Sequence, residues 1–409
     1  MPRDIMYQGK VRNLYNFQKH HLIMEATNRL SAFNKHQCFI PHKGQYLNEM
    51  SVWWFNETSD IIPNHYLWHR GQFMMVKKTR AIKLEFIVRA YITGSLWKDY
   101  ENGRRNMYGF VFPDGMVKDQ KFDTPIITPT YKNATDDPIT EEEILKQNFL
   151  TEDELEFLKQ KSLELFSRGT ELSSGMGLTL VDTKYEFGRD LNNSIILIDE
   201  IHTCDSSRYW SDNEHLDKQV IRDWISAHPT DEISNEIKQK VEMIYKNYAL
   251  LLNPTLKNDE ITLNIFLADF KQTFDNFVCV IVGSTSDKEH VEKITSCLKE
   301  FNVNYNIMYA SAHKETQKVS NYIREQDTLD RKMVWITIAG RSNALSGVVA
   351  SNSKFPVFAC PPFNDNVDMM ININSTIQMP SNVPVALILK PRNLSLFIHK
   401  MFTSDNMVI

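Results

Sequence analysis

The chain has 409 residues, of which 42% are hydrophobic and 24% charged, with a formal net charge of −5. That length suits two or three domains of a soluble globular protein, and the mildly acidic balance speaks against nucleic-acid binding, which favours a basic stripe. Five scattered cysteines (Cys38, Cys204, Cys279, Cys297, Cys360) without a C-x-x-C pair argue against a disulfide framework or zinc site and for a reducing, cytoplasmic compartment; no signal-peptide core or membrane-length apolar run appears.

In chain order, Tyr7-Gln-Gly-Lys-Val-Arg-Asn-Leu-Tyr15 places a glycine and two cations, Lys10 and Arg12, in a strand–turn–strand-like segment. Residues 79–92 read as a strand that carries Arg89 among apolar neighbours, where a cation needs an anionic partner. Residues 141–168 read as one long charged helix. The sharpest signal follows in Leu178-Thr-Leu-Val-Asp-Thr-Lys-Tyr-Glu-Phe187, a turn, and Ile195-Ile-Leu-Ile-Asp-Glu-Ile201. Alternation along a strand puts Asp182, Lys184 and Glu186 on one face and Val181, Thr183, Tyr185 and Phe187 on the other. If the two strands pair, Asp199 and Glu200 join the same patch. Crowded carboxylates repel unless a cation sits among them, and a hard divalent ion such as Mg2+ suits oxygen donors. Thr203-Cys-Asp-Ser-Ser-Arg-Tyr-Trp210 adds Asp205 and Arg208. A helix at 233–251 closes this half, and 253–275 reads as a connector.

From residue 276 strands and helices alternate: strands at 277–282, 305–309, 333–338, 356–359 and 383–389, with helices between and after them. This pattern predicts a doubly wound parallel sheet with ligands beyond the carboxyl ends of the strands. Three polar loops lie there: Gly283-Ser-Thr-Ser-Asp287, Ala310-Ser-Ala-His-Lys314 and Ala339-Gly-Arg-Ser-Asn-Ala-Leu-Ser-Gly347. In the first, Ser286 and Glu289 have capping-box spacing, so it reads as an ordinary helix start or as a phosphate cradle.

These three loops, with Pro356-Val-Phe-Ala-Cys-Pro-Pro362, resemble the aminoimidazole ribonucleotide (AIR) carboxylases of purine synthesis across 277–402. The resemblance implies a flavodoxin-like, three-layer domain. It implies that Ser284, Ser286 and Asp287 hold the ribose phosphate, with Ser311, Arg341 and Ser342 also at the substrate. His313 would carry the proton chemistry beside Lys314. Lys314, and Arg341-Ser-Asn-Ala-Leu-Ser346, replace residues of the bacterial mutase class and point to direct use of CO2, without biotin. Octamers are usual in that family.

The earlier segments, Tyr7–Tyr15, Glu85–Trp97, Thr179–Gly188, Leu197–Trp210 and Asp217–Trp224, resemble the SAICAR synthetases, ATP-dependent ligases, over roughly 7–225. This implies an ATP-grasp-like α+β module. Lys10 and Arg12 would lie by the ATP phosphates, and Glu186 and Asp199 would hold Mg2+. Arg89, Ser95, Lys184 and Arg208 would contact carboxyaminoimidazole ribonucleotide (CAIR), with Asp182 and Asp205 close by. Two segments depart from the family pattern: Asn28 and Asn34 stand where acids are usual, and 128–137 lacks the usual Ser-Thr-Lys and His-Asp. The expected organisation is a ligase module at 1–252, a linker at 253–275 and a carboxylase module at 276–409. It would work as a homo-oligomer that makes SAICAR from AIR, CO2, L-aspartate and ATP. The alternative is an active carboxylase beside an impaired nucleotide-binding or scaffolding module.

Overall fold

The computed structural model describes residues 5–32, 35–133, 135–211, 214–216, 218–229, 232–340 and 343–403. The chain divides into two compact units, Met1–Thr262 and Leu263–Ile409. Among the described residues no helix is long and apolar enough to cross a membrane.

The first unit is built on antiparallel sheets. A five-stranded sheet includes Arg12–Gln18, His21–Ala26 and Phe73–Lys77, and a seven-stranded sheet is centred on Arg80–Tyr91 and Thr179–Arg189. In the second sheet Lys121–Tyr131 pairs with Arg80–Tyr91, while Ile195–Ile198 and Ser207–Ser211 pair with different stretches of Thr179–Arg189. The two-residue period holds: Val181, Thr183, Tyr185 and Phe187 are all buried on one face. Tyr185 and Phe187 share a core with the helix Glu152–Gly175 through Leu155, Leu158, Leu165 and Phe166. Burying that face fixes the register, because a one-residue slip would turn Asp182, Lys184 and Glu186 into the core.

The expected helix over 141–168 is two helices, Glu141–Lys146 and Glu152–Gly175. Asn148 adopts a left-handed φ of 55°. Thr151 and Glu154 then restart the chain with a reciprocal capping box, which satisfies backbone donors that a continuous helix would have paired internally.

Behind the acidic loop lies a buried polar chain. Trp54 Nε1 donates to Tyr248 Oη (3.0 Å), Tyr248 Oη donates to Tyr209 Oη (3.0 Å), and Tyr209 Oη donates to the His202 carbonyl (2.9 Å). The His202 ring meets Tyr185 Oη at 2.7 Å. Burial pushes the His202 imidazole down to about 3 and that of His21 to about 4. Both folded-state values lie below the unfolded one, so the unfolded chain binds more protons between about pH 6.5 and 4. Stability should therefore fall as pH drops through that window, by about 1.4 kcal/mol per pH unit for each histidine. Urea midpoints at pH 7, 6 and 5 check this, and H202F should flatten the slope.

The second unit is a five-stranded parallel sheet. Its spatial order is Asn304–Tyr309, Phe277–Val282, Met333–Ile338, Val357–Ala359, Ala386–Leu387, the flavodoxin-like order 2-1-3-4-5. Phe277–Val282 and Met333–Ile338 are buried at every position, as strands covered on both faces must be. Leu263–Phe274, inside the stretch expected to be a connector, is a helix of this unit that buries Phe266 and Phe270. The expected Ser286–Glu289 capping box does not form. Ser284 instead accepts from the Ser286 N–H (3.2 Å), a 3-10 turn spans Thr285–Asp287, and Glu289 pairs with Lys293.

Candidate active sites

In the first unit the polar face of the central strands forms a ladder of alternating charge. Opposite Arg80–Tyr91, Asp182 faces Arg89, Lys184 faces Ile87 and Glu186 faces Glu85. Lys184 Nζ lies 2.8 Å from Glu85 and 2.7 Å from Glu186, and Lys132 Nζ closes on the other oxygen of Glu186. Burial disfavours the Lys184 charge, yet Glu186 and Glu85 outweigh it and hold the ammonium protonated. Burial also opposes ionisation of Glu186, and Lys184 with Lys132 overcomes it, so its carboxyl sits below the ordinary range. The crowding that suggested a bound cation is thus met largely by the chain's own lysines.

At one end of the ladder Asp182 is held by Arg89 Nη1 (3.2 Å) and by Arg208. Arg89 Nε donates to Thr128 Oγ1 (2.9 Å) and Thr130 Oγ1 to Glu85 (3.2 Å). The stretch 128–137, which departs from the family pattern, therefore supplies Thr128, Thr130 and Lys132 to the ladder. Ser95 lies in the first turn of the helix Gly94–Glu101, whose first residue, Gly94, packs against Arg208. Gly94 has a φ of 58°, and a Cβ there would fall 2.2 Å from the Arg208 guanidinium. On the expectation that Arg208 contacts the ribotide, G94A should raise KM for CAIR about tenfold through backbone strain and displacement of Arg208, with a smaller change in kcat; steady-state kinetics with varied CAIR check it.

At the other end Glu186 pairs across to Ile198, so Asp199 follows its cross-strand partner. Asp199 takes a left-handed φ of 66°. Arg12 Nη1 reaches Asp199 (3.3 Å) and Glu200 (2.9 Å), tying the glycine turn to the acidic loop. Arg29 fixes that turn by donating to the carbonyls of Gly9 (3.0 Å) and Lys10 (3.2 Å), while the Lys10 side chain is exposed. Mg2+ at phosphate-transfer sites takes one or two carboxylates and completes its shell with water and substrate phosphate. Glu186 and Asp199 are the two carboxylates that would supply such a donor set, and the second partner of Glu186, Lys132, is 44% exposed. Among the described residues no cluster of three or more His, Cys, Asp or Glu gathers as a metal shell.

Asp205 sits deeper. Lys43, fully buried, lies 2.7 Å from Asp205 Oδ2, Lys218 lies 3.5 Å from the same oxygen, and Tyr245 Oη donates to Oδ1 at 2.5 Å. Lys218 and Lys43 together keep the carboxyl low against burial. Asp205 thus anchors the loop rather than facing an open cleft. K43M should cost about 3 kcal/mol by removing the nearer of the two cations that hold a buried carboxylate; urea unfolding reads the loss. Asn28 keeps an acceptor: its Oδ1 takes the Gly44 N–H (3.0 Å), a bond an aspartate would also make. Asn34 lies outside the described residues.

In the second unit a cleft of about 540 Å3 opens where the strand order reverses, the place where such sheets bind ligands. Ser284, Ser286 and Asp287 form one wall with His290, and Gly340, Asn364 and Asn372 stand among the residues around them. Burial raises the Asp287 carboxyl. His313 and Lys314 are exposed, Ser311 is half-buried, and none of the three lines this cleft. Their loop starts beside it, because Tyr309 pairs with Val282. Arg341 and Ser342 lie outside the described residues.

Sequence reasoning missed Lys132, Lys43, Lys218, Glu85 and His290. Glu85 lies within the quoted strand motif, and its period-two phase with Arg89 was the available signal.

The sequence model of the SAICAR synthetase family matches residues 5–240. The chain belongs to the SAICAR synthetase family. Its second unit carries an AIR carboxylase domain, matched over residues 277–408. The chain is 42% identical over 246 residues to the phosphoribosylaminoimidazole-succinocarboxamide synthase of Legionella pneumophila (strain Paris), covering 56% of this chain and 78% of that one. It is 44% identical over 239 residues to the chloroplastic enzyme of Arabidopsis thaliana, covering 54% of this chain and 58% of that one. The SAICAR synthase of Saccharomyces cerevisiae, solved with SAICAR, superposes with a TM-score of 0.56 at 28% identity, covering 63% of this chain and 97% of that one. A SAICAR synthetase in complex with ADP gives 0.52 at 25% identity, covering 62% and 99%. The chain is thus a SAICAR synthetase joined to an AIR carboxylase, two purine-biosynthesis domains in one polypeptide.

Proposed function

We propose that the second unit adds CO2 to AIR and that the first unit ligates the resulting CAIR to L-aspartate at the expense of ATP, giving SAICAR, ADP and phosphate. The observation that carries this reading is the charge ladder from Arg208 to Asp199, in which expected ribotide-binding and nucleotide-binding residues of the synthetase pattern gather along the strand Thr179–Arg189 and the strands paired with it. Asp182 holds Arg89 and Arg208 at one end, with Ser95 at a helix start beside them, a setting suited to the ribotide phosphate. At the other end Glu186 and Asp199 would hold Mg2+, which would neutralise charge on the nucleotide phosphates. Lys184 stands between, a fixed ammonium where the imidazole carboxylate becomes an acyl phosphate. The amine of aspartate then displaces phosphate.

In the second unit Ser284, Ser286 and Asp287 bind the ribose phosphate of AIR. The ring carbon attacks CO2 held close by, and His313 removes the ring proton, with Lys314 beside it. Lys314 and the Arg341-Ser342 segment support CO2 rather than a carboxylated carrier as the donor. The protein acts in the cytoplasm, in keeping with its free cysteines. It self-associates, up to an octamer, through the second unit, where Val367, Met370 and Ile371 are exposed on the helix Asn366–Ile377.

Purified protein supplied with AIR, bicarbonate, aspartate, Mg2+ and ATP is expected to form SAICAR with matching ADP. Carboxylation without ADP release, even when CAIR is supplied, would favour the impaired-module alternative.

A further inference from the structure

His290 stands in the wall of the second unit's cleft without a role in the carboxylation proposed above. It lies in the first turn of the helix Lys288–Glu300 and lines the cleft beside Ser284, Ser286 and Asp287. Its Nε2 stands 3.0 Å from the Cys360 carbonyl oxygen. A carbonyl oxygen only accepts, so Nε2 carries the proton. Burial disfavours the charged form of the ring, and in the neutral imidazole a proton on Nε2 leaves Nδ1 as the acceptor. The ring thereby bridges the Ser284–Asp287 wall to the end of Val357–Ala359, whose following residue is Cys360.

The chemistry of the cleft is unevenly provided. Ser284 and Ser286 offer hydroxyls and a short helical turn to a phosphate. The sugar attached to that phosphate presents hydroxyl donors, which need acceptors. Asp287 is one, and its Oδ1 already accepts from Ser286 Oγ at 3.2 Å. His290 offers a second acceptor on the same wall, with its tautomer fixed from behind.

We propose that His290 is a substrate-positioning residue of the carboxylase site, its Nδ1 accepting a hydrogen bond from a ribose hydroxyl of the bound ribotide. The inference rests on the carboxylase reading of this unit. It assigns a ligand contact to the helix after the serine loop, and makes the Cys360 carbonyl the group that sets the orientation of that contact.

The test uses the full chain and two amide variants that separate the ring nitrogens. H290N places an acceptor near Nδ1 but lacks the reach to Cys360. H290Q reaches Cys360 with a donor but moves its acceptor away. KM for AIR and kcat are measured for carboxylation, alongside SAICAR formation from supplied CAIR as a control on folding. H290Q is expected to raise KM for AIR about tenfold, the upper range for one neutral hydrogen bond, with kcat changed less than about twofold and CAIR ligation unchanged. H290N is expected to keep KM within about threefold of wild type, since it retains the acceptor. Any other pattern overturns the proposal: H290Q like wild type with H290N impaired assigns His290 a bridging role only, and equal effects in both variants remove the ligand contact. A wild-type chain that does not carboxylate AIR sinks the carboxylase reading as well, before any variant is compared.

Discussion

E186Q is expected to abolish ATP-dependent ligation while leaving carboxylation of AIR at the wild-type rate. Glu186 is the one carboxylate that touches both ladder lysines and lies across from the residue preceding Asp199. Glutamine keeps the shape and one acceptor oxygen but removes the charge. A hard divalent ion held as proposed by Glu186 and Asp199 would lose half of its two-carboxylate donor set, and Lys132 and Lys184 are left facing a neutral amide. Losing a preorganised charge at the transferring phosphoryl group costs at least 10²- to 10³-fold in kcat by analogy with removal of a single oxyanion donor. ADP and SAICAR formation from CAIR, aspartate and ATP read the ligase, and CAIR formation from AIR reads the carboxylase in the same preparation. Residual ligation above about a tenth of wild type would take Glu186 out of the metal and phosphate chemistry. Loss of both activities would argue against two separable sites.

How this site was legible in the sequence follows from which interactions are local. The period of two along 178–187 placed Asp182, Lys184 and Glu186 on one face without reference to any other segment. The same rule predicted the buried face, and Val181, Thr183, Tyr185 and Phe187 occupy it. The parallel sheet was legible for a similar reason: continuous apolar runs such as Phe277–Val282 are what strands covered on both sides require, and polar loops at their ends mark the ligand edge. The partners were not legible. Lys132, Lys43 and Lys218 come from segments 54, 162 and 13 residues from the acids they pair with, and no local spacing announces such a pair. That is why the acidic patch read as a demand for a metal ion, when lysines and arginines meet most of it. The Ser284 cap was missed because the chain makes a 3-10 turn before the helix, which shifts the capping residue by two positions.

H313N is expected to give the mirror image of E186Q. His313 sits on the loop after Asn304–Tyr309, and the register of Tyr309 with Val282 starts this loop beside the Ser284–Asp287 cradle. After the ring carbon of AIR has added to CO2 it carries both the new carboxylate and a proton, and aromaticity returns only when that proton leaves. A base reaching from the neighbouring loop over a ribotide anchored at Ser284 and Ser286 meets this need, and histidine can take the proton and return it in the reverse direction. Asparagine preserves size and hydrogen bonding but cannot carry the proton, so carboxylation should fall by about 10²- to 10⁴-fold. KM for AIR should change little, because the phosphate and ribose contacts are proposed for Ser284, Ser286, Asp287 and His290, which line the cleft that His313 does not. Ligation of supplied CAIR should continue at the wild-type rate, since the residues of that reaction lie in the other unit. A normal carboxylation rate in H313N would remove the histidine from the mechanism. A raised KM with unchanged kcat would recast it as a binding group, and the proton would then have to leave through Lys314 or solvent.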